Sequence, residues 1–196
     1  MSYTLIGTTM SRAFRVRWAL EEIGVPYDHV QALPHSAQAL EHNPTGKVPA
    51  LIDDGAVLTD STAIMTYLAD KHDALTFKAG TLGRARQDGF TNLILDEFDA
   101  VLWTASKHSF ILPKDQRVPE IKPSLKLEFA RAEAGLVKQM GDGPFLMGDQ
   151  LTIADILLAH CLGWAITAKF GISEQRLSDF LNGVKQRPAY KAARAD

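Results

Sequence analysis

The chain has 196 residues, 46% of them apolar, and a formal net charge of −2. That length carries one large domain or two small ones, and the near-neutral charge with scattered basic residues leaves no footprint for a nucleic acid. A single cysteine, Cys161, excludes an internal disulfide framework and suits a reducing compartment.

The opening residues, MSYTLIGTTMSR, lack a basic segment followed by a long apolar run. No later stretch reaches the roughly 18 uninterrupted apolar residues of a membrane span, so a cytoplasmic protein outside the membrane is expected. Residues 3–8 read as a short strand with Gly7 near its end, and Thr8, Thr9, Met10 and Ser11 form a polar connection. Over residues 12–23 the pattern is helical. Val16, Leu20 and Ile23 share one face, and Arg17 and Glu21 lie on another. Gly24 ends this helix and Pro26 prevents its resumption. A second strand is expected over residues 27–31 and a short helix over 36–42.

The stretch NPTGKVPALIDDGAVLTDSTAIMTYL, residues 43–68, is the most informative in the chain. Asn43, Pro44 and Gly46 mark a turn, and residues 48–52 are a strand. Asp54-Gly55 is a two-residue hairpin signal, residues 56–58 return, and Thr59-Asp60-Ser61 opens a helix carrying Ile64 and Leu68. Pro49, one residue into the strand, cannot donate a ladder hydrogen bond. A cis Val48–Pro49 bond there would turn the Val48 backbone outward, leaving its N–H and C=O for a peptide-like ligand. At the helix start, backbone N–H groups and the Ser61 hydroxyl can hold a carboxylate, while the Asp60 carboxylate can pair with an ammonium group. Together they can hold an amino acid by both of its charged groups. Taken alone, Ser61 is equally an ordinary helix cap.

Beyond residue 71 the alternation of strand and helix stops, which places a boundary over residues 71–80. A long helix is expected from Thr81 to Phe110, carrying Phe90, Ile94, Phe98, Val101 and Ala105 on one stripe, and Pro113 closes it. A loop with Pro113, Pro119 and Pro123 follows. Leu125, Phe129, Ala132, Leu136 and Met140 mark the next helix, stopped by GDGP at residues 141–144. In GDQLTIAD, residues 148–155, Thr152 with Asp155 makes an acidic capping box. The helix it opens, residues 153–170, is apolar on nearly every side and belongs at the centre of the second half. A last helix is expected over residues 174–186, followed by the phrase RPAY. The histidines show no HxxxH or HxH spacing and have no cysteine partners, so no metal site is expected.

GKVP, the Asp-Gly hairpin and the acidic residue plus serine opening a helix resemble the glutathione-binding half of the glutathione transferases. GDxxTIAD and RPAY resemble phrases of that family's helical half. The resemblance covers almost the whole chain. It implies a thioredoxin-like βαβαββα domain over residues 1–72, followed by an all-helical domain over 81–196 that contributes the electrophile site. It further implies a detoxifying, cytoplasmic homodimer with glutathione as co-substrate and no metal. The family form has Glu or Gln where this chain has Asp60, a shorter carboxylate of the same charge. By position, Lys47 is implied near the glycyl carboxylate, Val48 and Pro49 at the backbone pairing, and Asp60 with Ser61 at the γ-glutamyl end.

The chemical task is then to make a thiol a thiolate near neutral pH. A free thiol titrates at about 8.5, and lowering that by two units takes about 2.7 kcal/mol of preference for the anion. A hydroxyl aimed at the sulfur at the start of a helix is of that size. Ser11 follows the first strand and stands four residues before Arg15, as in the serine-type theta-like and delta-like classes. Ser11 as a mere helix cap, and Thr9 as the hydroxyl donor, remain open. Tyr3 stands five residues before Thr8, roughly 15 Å or more along an extended strand, and is rejected. The absence of a cysteine from this loop argues against thiol exchange. Met10, Trp103 and Phe110 are candidates for the apolar electrophile site, Trp103 and Phe110 because a spacing of seven places them on one helical face. Arg12 and His35 are left without an assigned role. The expected activity is conjugation of an electrophile, or peroxide reduction. The alternative is a non-catalytic member of the same fold acting as a protein-binding or regulatory module.

Overall fold

The structure, a computed structural model, describes residues 2–195. The chain forms two compact units. The first runs to Arg84 and is rejoined by the chain from Lys185 onward, and the second is Ala85–Val184.

The first unit opens with β1 (Tyr3–Ile6), α1 (Ala13–Ile23), β2 (Tyr27–Val30), α2 (Ala37–His42), β3 (Ala50–Asp53), β4 (Ala56–Thr59) and α3 (Ser61–His72). The sheet order is β2-β1-β3-β4, with β1 parallel to β2 and antiparallel to β3, and β4 antiparallel to β3. This is the thioredoxin-like arrangement that the resemblance implied. Leu5 pairs with Leu51 and Ile6 with Ala50. Side-chain alternation therefore puts Ile6, Ala50 and Ile52 on one face, packed with Ala32. The edge strands β2 and β4 are largely open to solvent, while β1 and β3 are buried. α1 packs on β1 and α3, burying Phe14, Val16, Trp18 and Leu20. At the far end of β3 the Asp53 carboxylate accepts from Tyr67 (2.6 Å) and from Lys71 of α3, which holds its carboxyl below the usual range.

β3 begins at Ala50, so Pro49 stands just ahead of the strand rather than within it. Lacking an N–H, it cannot hold a rung of the ladder, and pairing starts after it. The Asp54-Gly55 loop does join two strands as expected, with both residues at positive φ (49° and 81°).

The second unit is helical: the greater part of α4 (Leu82–Leu93), then α5 (Ala100–Ser106), α6 (Lys122–Gln139), α7 (Ile153–Thr167) and α8 (Gln175–Val184). The long helix expected from Thr81 is interrupted by π turns at Ile94–Asp99 and Lys107–Ile111. A π turn widens the helix and moves the apolar stripe. Leu102 is consequently the buried residue after Phe98, and Val101 is only half-buried. In α4 the buried positions are polar, Gln87 and Thr91, and Phe90 is half-buried. Pro123 lies in the first turn of α6, where its missing N–H costs nothing, rather than in the loop.

The stripe Leu125, Phe129, Ala132, Leu136 and Met140 is buried as its spacing requires. Phe129 meets Phe98 and Phe170 edge-on, at 5.1 and 5.6 Å between ring centroids. α7 is buried on nearly every side. It stops at Thr167 because Lys169 turns left-handed (φ 61°), three residues short of the expected end at Phe170. Its start is closed by the Thr152–Asp155 capping box.

The RPAY phrase opens α9 (Pro188–Arg194), a helix that residue patterning did not indicate. Pro188 occupies its first turn, and Tyr190 packs edge-on against Phe14 and Trp18 of α1 at 5.3 and 4.9 Å. Arg187 grips Glu22 with two hydrogen bonds of 2.6 and 2.7 Å, and Glu22 also accepts from the Trp18 indole at 2.9 Å.

Candidate functional site

β1 ends where Gly7 turns at φ 145°. A side chain there would stand 2.6 Å from the Ala13 Cβ and 3.2 Å from the Val48 Cβ, so the glycine is what lets three segments converge. These are the end of β1, the start of α1 and the Val48–Pro49 corner. The Gly7 carbonyl is also within 2.7 Å of His29 Nε2 on the neighbouring strand. Ser11 lies in the turn just before α1. Its hydroxyl donates to the Thr8 carbonyl at 2.7 Å and accepts from the Ala13 N–H at 3.1 Å. It thus caps the first turn, while Arg12, the formal capping residue, contributes no side-chain bond there. The Thr8 hydroxyl accepts from the Met10 N–H at 3.3 Å, and the Thr9 hydroxyl has no partner among the described residues.

The Val48–Pro49 peptide bond is cis, and among the described residues nothing takes the Val48 N–H or C=O. The loop before it is organised by the buried Asn43. Its side chain donates to the Lys47 carbonyl (2.9 Å) and accepts from the Thr45 N–H (3.1 Å) and hydroxyl (2.9 Å). The Asn43 carbonyl takes the Gly46 N–H at 2.7 Å. The Lys47 side chain is left exposed. His35 sits at positive φ with its N–H on the Gly46 carbonyl at 2.7 Å, bracing the loop from outside.

Across the hairpin, Asp60 is the cap of α3, held at φ 69° and ψ 122°. That is a sparsely populated conformation for a residue with a side chain, and such outliers concentrate at ligand sites. One carboxylate oxygen, Oδ1, accepts from the Thr62 and Ala63 N–H groups at 2.9 and 3.0 Å. The other oxygen and the Ser61 N–H are unspent among the described residues. Ser61 is buried, and the wholly buried Arg15 of α1 donates to its hydroxyl at 3.4 Å. An unspent carboxylate oxygen beside a hydroxyl and a helix-start N–H can bind an ammonium and a carboxylate side by side.

The remaining candidates are placed as follows. Met10 is 87% exposed at the tip of the loop after β1. Trp103 is half-buried in α5, and Phe110 is 64% exposed in the second π turn. The shared helical face expected of those two does not survive, because the π turn breaks the period on which it rested. The Tyr3 hydroxyl pairs with His72 at 2.8 Å. Among the described residues no group of three or more His, Cys, Asp or Glu is placed to hold a metal.

Two contributors lay outside the sequence reading. Arg15 reads there only as a spacing marker behind Ser11, yet its buried guanidinium supports Ser61, which is 46 positions away. Asn43 reads as a turn former, and the Asn-Pro pair was the available signal. The structure makes it the residue that shapes the approach to Val48.

Comparison with known proteins agrees with this geometry. Residues 9–71 match the family model described as glutathione S-transferase, N-terminal domain, and residues 120–195 the corresponding C-terminal domain. A zeta-class glutathione S-transferase of Euphorbia esula is 30% identical over 165 residues, covering 80% of this chain and 72% of that protein. Glutathione S-transferase GstA of Escherichia coli O157:H7 is 28% identical over 157 residues, 77% of this chain and 74% of that one. The solved ternary complex of BphK, a bacterial GST, superposes with a TM-score of 0.85 at 28% identity, covering 97% of this chain and 96% of that one. The chain belongs to the glutathione S-transferase family and is a glutathione transferase.

Proposed function

We propose that this enzyme is a serine-type, theta-like or delta-like transferase that binds glutathione along the Val48 corner and activates its thiol with Ser11. The observation that carries the reading is the divided Asp60 carboxylate, one oxygen capping α3 and one unspent, beside a Ser61 held by a buried arginine. The unspent oxygen receives the γ-glutamyl ammonium, and the Ser61 hydroxyl and N–H receive the adjoining carboxylate. The open Val48 N–H and C=O pair with the peptide backbone, and Lys47 lies toward the glycyl end.

Ser11 donates its hydroxyl hydrogen to the sulfur by rotating away from the Thr8 carbonyl. The Ala13 N–H continues to hold its oxygen. The exchange is favourable because a hydrogen bond to an anion is roughly twice as strong as one to a neutral carbonyl. The thiolate then attacks an electrophilic carbon or a peroxide oxygen, on a substrate with apolar bulk for which Met10, Trp103 and Phe110 remain the candidate contacts. Family membership supports a homodimer, which sedimentation would test. The cysteine-poor composition and unmarked N-terminal sequence support a cytoplasmic, detoxifying role.

The test is conjugation of a generic aromatic halide by wild type, Ser11→Ala and Thr9→Val, alongside retention on immobilised glutathione. Ser11→Ala is expected to keep retention and lose about 10- to 100-fold in kcat/KM near neutral pH, the size of one hydrogen bond to a charged group. An unaffected Ser11→Ala with an impaired Thr9→Val moves the role to the unpartnered Thr9 hydroxyl. Retention with no turnover in wild type favours the non-catalytic alternative.

A further inference from the structure

We propose that the helical unit carries a separate binding site for an organic anion, in a groove of about 590 Å³ between the second π turn and the start of α6. That volume suits a drug-sized molecule. Four basic side chains line the groove, those of His108, Lys114, Arg117 and Lys122, and no acidic side chain does. None of the four is in an ion pair among the described residues. In a protein of net charge −2, four such groups facing one concavity without a carboxylate is an unbalanced arrangement, and an anion would balance it. Asp115 and Glu120 are near in sequence, but both are exposed and outside the lining.

The groups divide the work. A helical segment ending at Ile111 presents bare carbonyls that would repel an anion. Arg117 removes that obstacle by donating to the carbonyls of Leu112 (2.7 Å), Ser109 (3.2 Å) and Phe110 (3.0 Å). Its hydrogen bonds are spent on shaping the wall, and its charge remains. His108 accepts the Val118 N–H on Nδ1 at 3.1 Å, so in the neutral ring the hydrogen sits on Nε2, which is left as a donor. Lys114 and Lys122 supply mobile ammonium groups. The lining also includes Ala105 and Ile121, and Ile111 and Val118 nearby are 49% and 50% exposed. A purely inorganic anion would leave this apolar surface unused. The fitting ligand is therefore a carboxylate or sulfonate with an aromatic or aliphatic body. This site is independent of the glutathione reading.

The test is a fluorescence titration of the full chain with 8-anilinonaphthalene-1-sulfonate and with its uncharged analogue N-phenyl-1-naphthylamine. Wild type should bind the sulfonate more weakly as salt rises, as a charge-assisted site must. Lys114→Glu/Lys122→Glu should weaken the sulfonate about tenfold and leave the neutral probe within about twofold. If the reversal pair melts early, Lys114→Ala/Lys122→Ala should give about a threefold loss with the melting temperature preserved. Sulfonate affinity unchanged in the variants, or both probes lost in parallel, overturns the proposal. Retention on immobilised glutathione is followed in the same samples. Its loss in wild type would sink the glutathione reading and leave the groove standing, whereas retained variants with unchanged sulfonate binding would do the reverse.

Discussion

A single carboxylate, that of Asp60, serves two purposes, and two substitutions separate them. Asp60→Asn keeps an oxygen to accept the Thr62 and Ala63 N–H groups but loses the charge. Glutathione affinity is expected to fall about tenfold or more while thermal stability stays near wild type. Asp60→Ala loses both functions and should also destabilise by about 1 kcal/mol. Equal affinities in Asp60→Asn and wild type, measured by calorimetry, would remove the ammonium contact from the reading. Asp60 and Ser61 were legible in the sequence because a cap signals itself within three residues of chain. Arg15 was not, because a buried arginine on an apolar helix face acquires its partner only when α3 arrives beside it. Gly7 is similar: its requirement is set by Ala13 and Val48, one near and one far along the chain.

At the scale of elements, α7 depends on how its first turn is closed. The Asp155 carboxylate accepts from the Leu146 N–H, the Thr152 N–H and the Thr152 hydroxyl at 2.8, 2.8 and 2.9 Å. These bonds favour its anion, but burial outweighs them and pushes its pKa up to about 6 from an ordinary 3.8. Between those values the native chain holds a proton that the unfolded chain has released. Its contribution to stability is therefore complete below about pH 4 and is lost as pH rises through 6, about 3 kcal/mol in all. Urea unfolding of wild type and Asp155→Asn at pH 4.5 and 7 should show this fall only in wild type. Asp155→Asn, whose amide donates where two N–H groups also donate, should be the less stable at pH 4.5 by about 1–3 kcal/mol. The capping box was readable from Thr152 and Asp155 alone. The π turns of the long helix were not, since each displaces the buried stripe without any proline or glycine to announce it. Val101 and Leu102 are both apolar, and only packing selected Leu102 for the core.

For the chain as a whole, the decisive feature is that α9 returns to α1 within the first unit. Glu22 is 8% exposed as a side chain and carries its charge against Arg187. Arg187→Ala leaves that carboxylate facing only the Trp18 indole, and is expected to cost about 2 kcal/mol. Adding Glu22→Gln should recover part of the loss, a coupling that a double-mutant cycle in chemical unfolding would measure. Truncation before Lys185 uncovers Phe14 and Trp18, which Tyr190 and Arg194 cover, and should lower the melting temperature of the first unit.

By itself the sequence determined whatever short-range chemistry can specify. That includes the order of strands and helices, the Asp-Gly hairpin, the Asp60 and Thr152 caps, the apolar stripe of α6 and the turn toward Val48. Each of these is written within a few residues, in backbone preferences and side-chain period. Only the tertiary structure decided which hydroxyl, guanidinium and carboxylate stand together. It also decided where the long helix widens, how α9 closes onto α1, and that four basic groups share one groove. Those depend on contacts between positions tens of residues apart, and local pattern carries no record of which distant surface a side chain will meet.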